Sequence, residues 1–127
     1  MLKGRILEWY HWWVRNLYLV GFMGAGKSAV GRAVARMTRR VFVDLDEAVE
    51  KRMGMSIPEV FSSRGETEFR RIESAELRAT SARSNLVVAT GGGAFSSPEN
   101  RRLIEDSGAV SVFLDPPWSV IERRLEG

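Results

Sequence analysis

The chain has 127 residues, a formal net charge of +3 and no cysteine. This length suits a single domain, and the lack of cysteine excludes disulfides, zinc–thiolate sites and thiol nucleophiles. Hydrophobic residues make up 44% and charged residues 28%, which argues against extensive disorder. No apolar run approaches the roughly 20 residues of a membrane-spanning helix. The many arginines are scattered among acids, so we expect neither a nucleic acid nor a membrane as partner.

The N-terminal segment differs from the rest of the chain. Residues 1–15 hold three of the four tryptophans and the only histidine. Glu8 interrupts the apolar stretch, which argues against a secretory signal. Tryptophans beside basic residues suit a membrane interface, but we interpret the segment as an extension and expect the domain to comprise residues 16–127.

Four short apolar runs predict β-strands, the first and third of them buried. They are residues 17–20, 41–43, 86–89 and 110–114. Helical patterns alternate with them, which predicts an α/β fold with a parallel sheet covered by helices on both faces. Ligands bind at the carboxyl ends of such strands, so we expect residues 21–28, 44–46 and 91–93 to converge on one rim.

The helices are predicted from apolar spacing and from end signals. The first predicted helix begins at Lys27, and the next three span 46–53, 56–64 and 67–80. Two more are expected to begin near Pro98 and Pro117. The predicted core stripes are Val30, Ala33, Val34 and Met37 on the first helix and Phe69, Ile72, Ala75 and Ala79 on the 67–80 helix. Gly54 and Gly65 are expected to break helices, and Ser97 is expected to cap the helix that starts at Pro98.

The most informative motif is Gly-Phe-Met-Gly-Ala-Gly-Lys-Ser at residues 21–28. It matches the phosphate-loop pattern G-x-x-x-x-G-K-[ST], whose backbone N–H groups and helix N-terminus surround phosphate oxygens. We expect Gly24, Ala25, Gly26, Lys27, Ser28 and Ala29 to bind ATP. The Lys27 ammonium would reach the phosphates, and the Ser28 hydroxyl would bind Mg²⁺.

Asp44 and Asp46 follow the second predicted strand. Residues two apart in an extended segment point the same way, so both carboxylates could face the phosphate loop. One could hold Mg²⁺ while the other takes a proton from an attacking hydroxyl. The alternative is a strand end at which Asp46 caps the next helix.

Two further patterns suit an anionic substrate. Arg70 and Glu73 are three residues apart and share one helical face, so Glu73 could orient the guanidinium toward a carboxylate. The alternative is an ordinary surface ion pair. Gly91, Gly92 and Gly93 follow the third strand, where three glycines suit close approach of backbone and ligand.

Together these motifs resemble shikimate kinase. The matching stretches are Leu-Val-Gly-Phe-Met-Gly-Ala-Gly-Lys-Ser at 19–28, Asp-Leu-Asp at 44–46, Gly-Glu-Thr-Glu-Phe-Arg-Arg-Ile-Glu at 65–73 and Gly-Gly-Gly-Ala at 91–94. The resemblance implies a P-loop NTPase fold similar to nucleoside monophosphate kinases. It also implies ATP- and Mg²⁺-dependent phosphorylation of the shikimate 3-hydroxyl in a cytoplasmic, monomeric enzyme of aromatic amino acid biosynthesis.

The resemblance also assigns roles by position. Lys27 would bind phosphates and act in catalysis, and Ser28 and Asp44 would hold the metal. Asp46 would bind the shikimate hydroxyls and act as base, while Arg70 would pair with the shikimate carboxylate beside residues 91–93. Arg124 falls where the family has an arginine near adenine.

Relative to the family pattern, the sequence is expected to lack the lid and the final edge strand, which leaves an apolar edge at residues 110–114 and slow turnover. A fragment and a degraded gene product both stay open as interpretations. A non-catalytic nucleotide-binding module and another small-molecule P-loop kinase, such as a gluconate kinase, are the alternative functions.

Overall fold

The computed structural model describes residues 15–21, 26–115, 119 and 123. Within these residues there are four strands: β1 (Leu17–Val20), β2 (Val41–Asp44), β3 (Leu86–Ala89) and β4 (Val110–Phe113). The helices of the same residues are α1 (Lys27–Thr38), α2 (Leu45–Met53), α3 (Ile57–Ser81) and α4 (Pro98–Asp106), and a 3₁₀ turn spans Ala94–Ser96. The helix predicted near Pro117 lies outside the described residues.

The sheet is parallel, as predicted, with the strand order β2-β3-β1-β4. Tyr18 of β1 lies opposite Val88 of β3 and Ser111 of β4. Because every strand runs the same way, the segments after β1, β2 and β3 leave from one rim. The predicted convergence of the three motif-bearing segments follows from this arrangement.

Alternate residues of the strands pack on opposite faces of the sheet. Leu17 and Leu19 pack with Ala35 of α1, whereas Tyr18 packs with Leu77 of α3 and Ile104 of α4. Both faces of β1 are therefore buried beneath helices. This confirms the layered α/β architecture expected from the continuous apolar runs.

A separate small core joins α2 to α3. It consists of Val49, Val60, Phe69 and Ile72. The chain bends within α3 at Gly65, whose φ of 83° and ψ of 168° are not helical. Positive φ is accessible to glycine at little cost, so the predicted break at Gly65 is confirmed as a kink within α3.

The predicted core stripe of α1 is wrong in part. Met37 is 83% exposed and Val30 is 38% exposed, whereas Gly31 and Ala35 are buried. A Cβ at Gly31 would lie 2.5 Å from the Phe42 ring. The helix approaches the sheet through its small residues, so Val30 and Met37 lie away from the contact while Val34 packs at its side.

The stripe of α3 also differs from the prediction at its C-terminal end. Ala79 is exposed, and the buried positions are instead Leu77 and Thr80. Thr80 is buried because its hydroxyl interacts with the Tyr18 hydroxyl at 3.0 Å and donates to the Leu77 carbonyl at 2.7 Å. Apolar spacing alone misses a polar side chain that is satisfied inside the core.

Strand β4 lies at the edge of the sheet formed by the described residues. Its side chains Val112 and Phe113 are exposed there, as predicted. None of the helices described is long and apolar enough to cross a bilayer.

A buried asparagine connects the start of β1 to α3 and β3. The Asn16 amide nitrogen donates to the carbonyls of Thr80 at 3.1 Å and Arg83 at 3.0 Å. Its amide oxygen accepts from the Leu86 backbone N–H at 2.9 Å. One side chain therefore satisfies three backbone groups.

We predict that Asn16→Ala lowers the free energy of unfolding by about 3 kcal/mol, because buried backbone groups would lose their partners. The check is a urea unfolding curve, whose midpoint should fall while the dependence of the free energy of unfolding on urea concentration stays the same. Ser62→Ala is the control, since its exposed hydroxyl makes one bond to the Glu59 carbonyl, and it should change stability by less than about 0.5 kcal/mol. Equal losses for both variants would contradict the prediction.

Candidate active site

The phosphate-loop motif ends at the start of α1. Gly26 adopts the left-handed conformation, with φ 87° and ψ 22°, and the first turn of α1 contains no acidic residue. Lys27, Ser28 and Ala29 supply that turn, and the N-terminus of a helix favours an anion. The Lys27 ammonium donates to the Gly21 carbonyl at 2.6 Å. Gly24 and Ala25 lie outside the described residues.

Asp44 connects β2 to both neighbouring motifs. Its Oδ1 accepts from the backbone N–H groups of Asp46 at 2.9 Å and Glu47 at 3.2 Å, and its Oδ2 accepts from the Ser28 hydroxyl at 3.2 Å. Asp44 is therefore the N-cap of α2. The alternative that Asp46 caps this helix is wrong.

Asp46 lies in the first turn of α2, not in an extended segment. The argument from alternation therefore does not apply, although Asp46 still interacts electrostatically with Asp44 and Lys27. Burial raises the pKa of the Asp46 carboxyl, and Asp44 and Glu50 raise it further against the opposing effects of Lys27 and Arg70. A carboxyl with a raised pKa accepts a proton more readily, as a general base must.

The same charges act on Lys27 in the opposite sense. Burial lowers the pKa of its ammonium, while Asp46 and Asp44 raise it. At the rim, the Lys27 ammonium thus interacts electrostatically with the carboxylates of Asp44 and Asp46. Such an arrangement compensates charge within a partly desolvated site.

The Arg70–Glu73 pair predicted from spacing is present, with Arg70 Nη1 3.0 Å from Glu73 Oε1. Glu73 is only 1% exposed, so the alternative of an ordinary surface ion pair is wrong. Arg70 also lies 3.8 Å from Glu66 and 5.2 Å from the Phe69 ring centroid. These neighbours hold the guanidinium in one place on the rim.

The glycines of residues 91–93 pack against these charged groups. A Cβ at Gly91 would lie 2.8 Å from Asp46 Oδ1 and 3.2 Å from Glu73 Oε2, and a Cβ at Gly93 would overlap the Arg70 guanidinium. The segments that carry Asp46, the Arg70–Glu73 pair and residues 91–93 therefore meet. A groove of about 660 Å³ opens beside Arg70 and Gly93 and continues along α3.

The sequence motifs do not predict how deeply the Glu73 side chain is buried. Its Oε2 has no hydrogen-bond partner among the described residues, and burial raises the pKa of its carboxyl against the effect of Arg70. A charged residue between Ile72 and Ser74 on a helix is typically interpreted as solvent-facing. The only usable signal is its three-residue spacing from Arg70.

The oxygens of Ser28 and Asp44 fit a magnesium ion. Hydroxyl and carboxylate oxygens are its preferred protein ligands, and it usually takes only one or two of them with phosphates and waters. In the described part of the chain no three His, Cys, Asp or Glu side chains cluster as a metal site. Arg124 lies outside the described residues.

The raised pKa of Glu73 predicts a pH dependence of stability. The folded state binds the proton more tightly than the unfolded state, whose carboxyl has the ordinary pKa of 4.5. The free energy of unfolding should therefore fall as pH rises from 4.5 through the raised pKa. Glu73→Gln removes this titration, so its stability relative to the native sequence should improve over the same range.

Urea unfolding of both proteins across that range provides the measurement. Ser74→Ala is the control, because it removes a neighbouring bond to Asn100 without removing a titrating group, and its effect should not vary with pH. Parallel pH profiles for Glu73→Gln and the native sequence would contradict the prediction.

Comparison with known proteins identifies the family of this chain. A shikimate kinase family model matches residues 23–127. The shikimate kinase of Dechloromonas aromatica is 46% identical over 109 residues, which cover 86% of this chain and 60% of that relative. The chain thus spans about three-fifths of that relative's length.

Solved structures give the same result for the fold. A shikimate kinase from Acinetobacter baumannii, in complex with shikimate, is 40% identical with a TM-score of 0.83 over 87% of this chain and 62% of that one. A shikimate kinase from Bacteroides thetaiotaomicron is 36% identical with a TM-score of 0.85, over 89% of this chain and 64% of that one. The fold is that of the P-loop NTPases, and the chain belongs to the shikimate kinase family.

Proposed function

We propose that this chain carries the catalytic rim of an enzyme that phosphorylates the 3-hydroxyl of shikimate with ATP, giving shikimate 3-phosphate and ADP. The reaction would serve aromatic amino acid biosynthesis in the cytoplasm. Family membership supports the reaction, and the strand β1 that begins at Leu17 supports a kinase domain of residues 16–127 with residues 1–15 as an extension. The partners are the two small-molecule substrates, and the enzyme acts as a monomer.

One observation carries the proposal: a buried carboxylate fixes an arginine beside a candidate base. Glu73 is 1% exposed and lies 3.0 Å from Arg70, and both Glu73 and Asp46 approach Gly91. A guanidinium in this setting suits a substrate carboxylate. A base close to it suits a hydroxyl on the same small molecule.

The nucleotide side of the rim is formed by α1. Lys27 neutralises phosphate charge, and the N–H groups of Lys27, Ser28 and Ala29 bind phosphate oxygens. Ser28 and Asp44 hold Mg²⁺. When bound, the ion neutralises charge on the phosphates during transfer. Asp44 keeps its orientation because its other oxygen caps α2.

The acceptor side is formed by α2, α3 and residues 91–93. Arg70 binds the shikimate carboxylate and so orients the ring. Asp46 accepts the proton of the 3-hydroxyl of shikimate. The hydroxyl oxygen forms a bond to the γ-phosphorus of ATP while the bond between that phosphorus and the leaving oxygen of ADP breaks. Positioning and charge neutralisation account for most of the rate in this kind of transfer.

The test is ADP release measured with and without shikimate, with gluconate as the comparison substrate. Shikimate-dependent release supports the proposal, and gluconate-dependent release instead would overturn it. Nucleotide binding without turnover on either substrate would favour a nucleotide-binding module.

Lys27→Ala is predicted to abolish tight ATP binding while the domain stays folded. The substitution removes the ammonium at the phosphate loop but no apolar core contact. Calorimetric titration with Mg·ATP, alongside an unfolding curve, is the measurement. Arg32→Ala on the exposed side of the same helix is the control and should retain affinity. Unchanged ATP affinity in Lys27→Ala would refute the assignment.

Arg70→Ala is predicted to weaken shikimate binding by roughly ten- to a hundredfold and to spare ATP, because a charge-assisted bidentate contact is lost. Arg70→Lys should recover only part of the affinity, since lysine lacks the planar fork. Arg71→Ala is the matched control, because Arg71 is exposed and pairs with Glu68 at 2.6 Å. Equal losses for shikimate and ATP would indicate a folding defect instead.

A further inference from the structure

Gly91 lies where two carboxylates converge. A side chain there would bring its Cβ to 2.8 Å from Asp46 Oδ1, 3.5 Å from Asp46 Cγ and 3.2 Å from Glu73 Oε2. Gly91 is buried, so the added atom could not turn toward solvent. Asp46 has a short side chain at the start of α2, which limits how far its carboxylate can move without moving the helix.

Gly93 lies beneath a different group. A Cβ at Gly93 would lie 2.6 Å from Arg70 Cζ, and both terminal nitrogens of the guanidinium would be closer still. The guanidinium therefore rests on the backbone of Gly93. Because it is the far end of a long side chain, a methyl group there would displace the guanidinium rather than the backbone.

Gly92 between them provides the contrast. Among the described residues, no heavy atom beyond its chain neighbours lies within 4 Å of a Cβ built there, and its φ is not in the left-handed range. The three glycines are therefore not equivalent. Two of them leave space that charged side chains occupy, and the middle one does not.

We propose that Gly91 and Gly93 are positioning residues with separate tasks: the missing side chain at Gly91 determines where the Asp46 carboxylate lies, and the missing side chain at Gly93 determines where the Arg70 guanidinium lies. The kinetic consequence rests on the proposed function, in which Asp46 is the base and Arg70 binds the substrate carboxylate. The steric consequence rests on the geometry alone.

The kinetic test compares Gly91→Ala with Gly93→Ala in shikimate-dependent ADP release. We expect Gly91→Ala to lower kcat by about ten- to a hundredfold with less than a threefold change in KM for shikimate, because a displaced base impairs the chemical step. We expect Gly93→Ala to raise KM for shikimate about tenfold or more with little change in kcat, because binding of the carboxylate is impaired. The same pattern in both variants would overturn the separation of tasks.

Double variants test the steric cause. In an Arg70→Ala background, Gly93→Ala should raise KM no further, because the group that it displaces is gone. In an Asp46→Ala background, the loss of thermal midpoint caused by Gly91→Ala should shrink. If Gly91→Ala alone does not fold, the double variant should fold. If the effects on KM are fully additive in the Arg70–Gly93 pair, the task assigned to Gly93 is overturned. If the effects on the thermal midpoint are fully additive in the Asp46–Gly91 pair, or if that double variant also fails to fold, the task assigned to Gly91 is overturned.

A spectroscopic readout separates this inference from the proposed function. In the substrate-free protein, Gly93→Ala should move the Nε–Hε resonance of Arg70, assigned by its loss in Arg70→Lys, whereas Gly92→Ala should leave it in place. Gly91→Ala should move the carboxyl ¹³C resonance of Asp46. If the native chain shows no shikimate-dependent turnover, the proposed function fails while these resonances still decide the inference. Unmoved resonances would overturn it even in an active enzyme.

Discussion

The ion pair between the half-buried Arg70 and the buried Glu73 is the interaction on which the α3 side of the rim depends. Burying a carboxylate without a partner is costly, and Arg70 compensates Glu73 at 3.0 Å. The pair lies after the kink at Gly65, and its helix is held by the apolar neighbours Phe69 and Ile72, which pack against α2. The local core of α2 and α3 therefore fixes the position of the helix that carries Arg70.

The fold was largely predictable because its signals are local. Short apolar runs, glycine breaks and the Ser97 cap fall where the strands and helices begin and end. The errors arise where packing overrides periodicity. Close approach of α1 to Phe42 needs the small Gly31, and the Tyr18–Thr80 interaction buries a hydroxyl at a position where apolar spacing expects Ala79.

The residues of the site were predictable, but their geometry was not. Motif spacing identified Lys27, Ser28, Asp44 and Asp46, whereas only the structure reveals that Asp44 caps α2 and that Asp46 lies in a helical turn. A cap depends on where the helix starts, and sequence determines helix ends only to within a few residues. The burial of Glu73 depends on contacts across the fold and has no local signature.

The contacts of Asp44 explain how the two sides of the rim keep a fixed position relative to each other. Oδ1 binds the N-terminus of α2, and Oδ2 binds Ser28 on α1, so one carboxylate fixes the helix that carries Asp46 relative to the helix that begins at Lys27. On the far side, Gly91 allows Asp46 and Glu73 to approach the same point, and Glu73 fixes Arg70. These interactions connect the start of α1, through Asp44, Asp46 and Glu73, to Arg70. Such groups are oriented before a substrate arrives, and preorganised charges stabilise a transition state without reorganisation during the reaction.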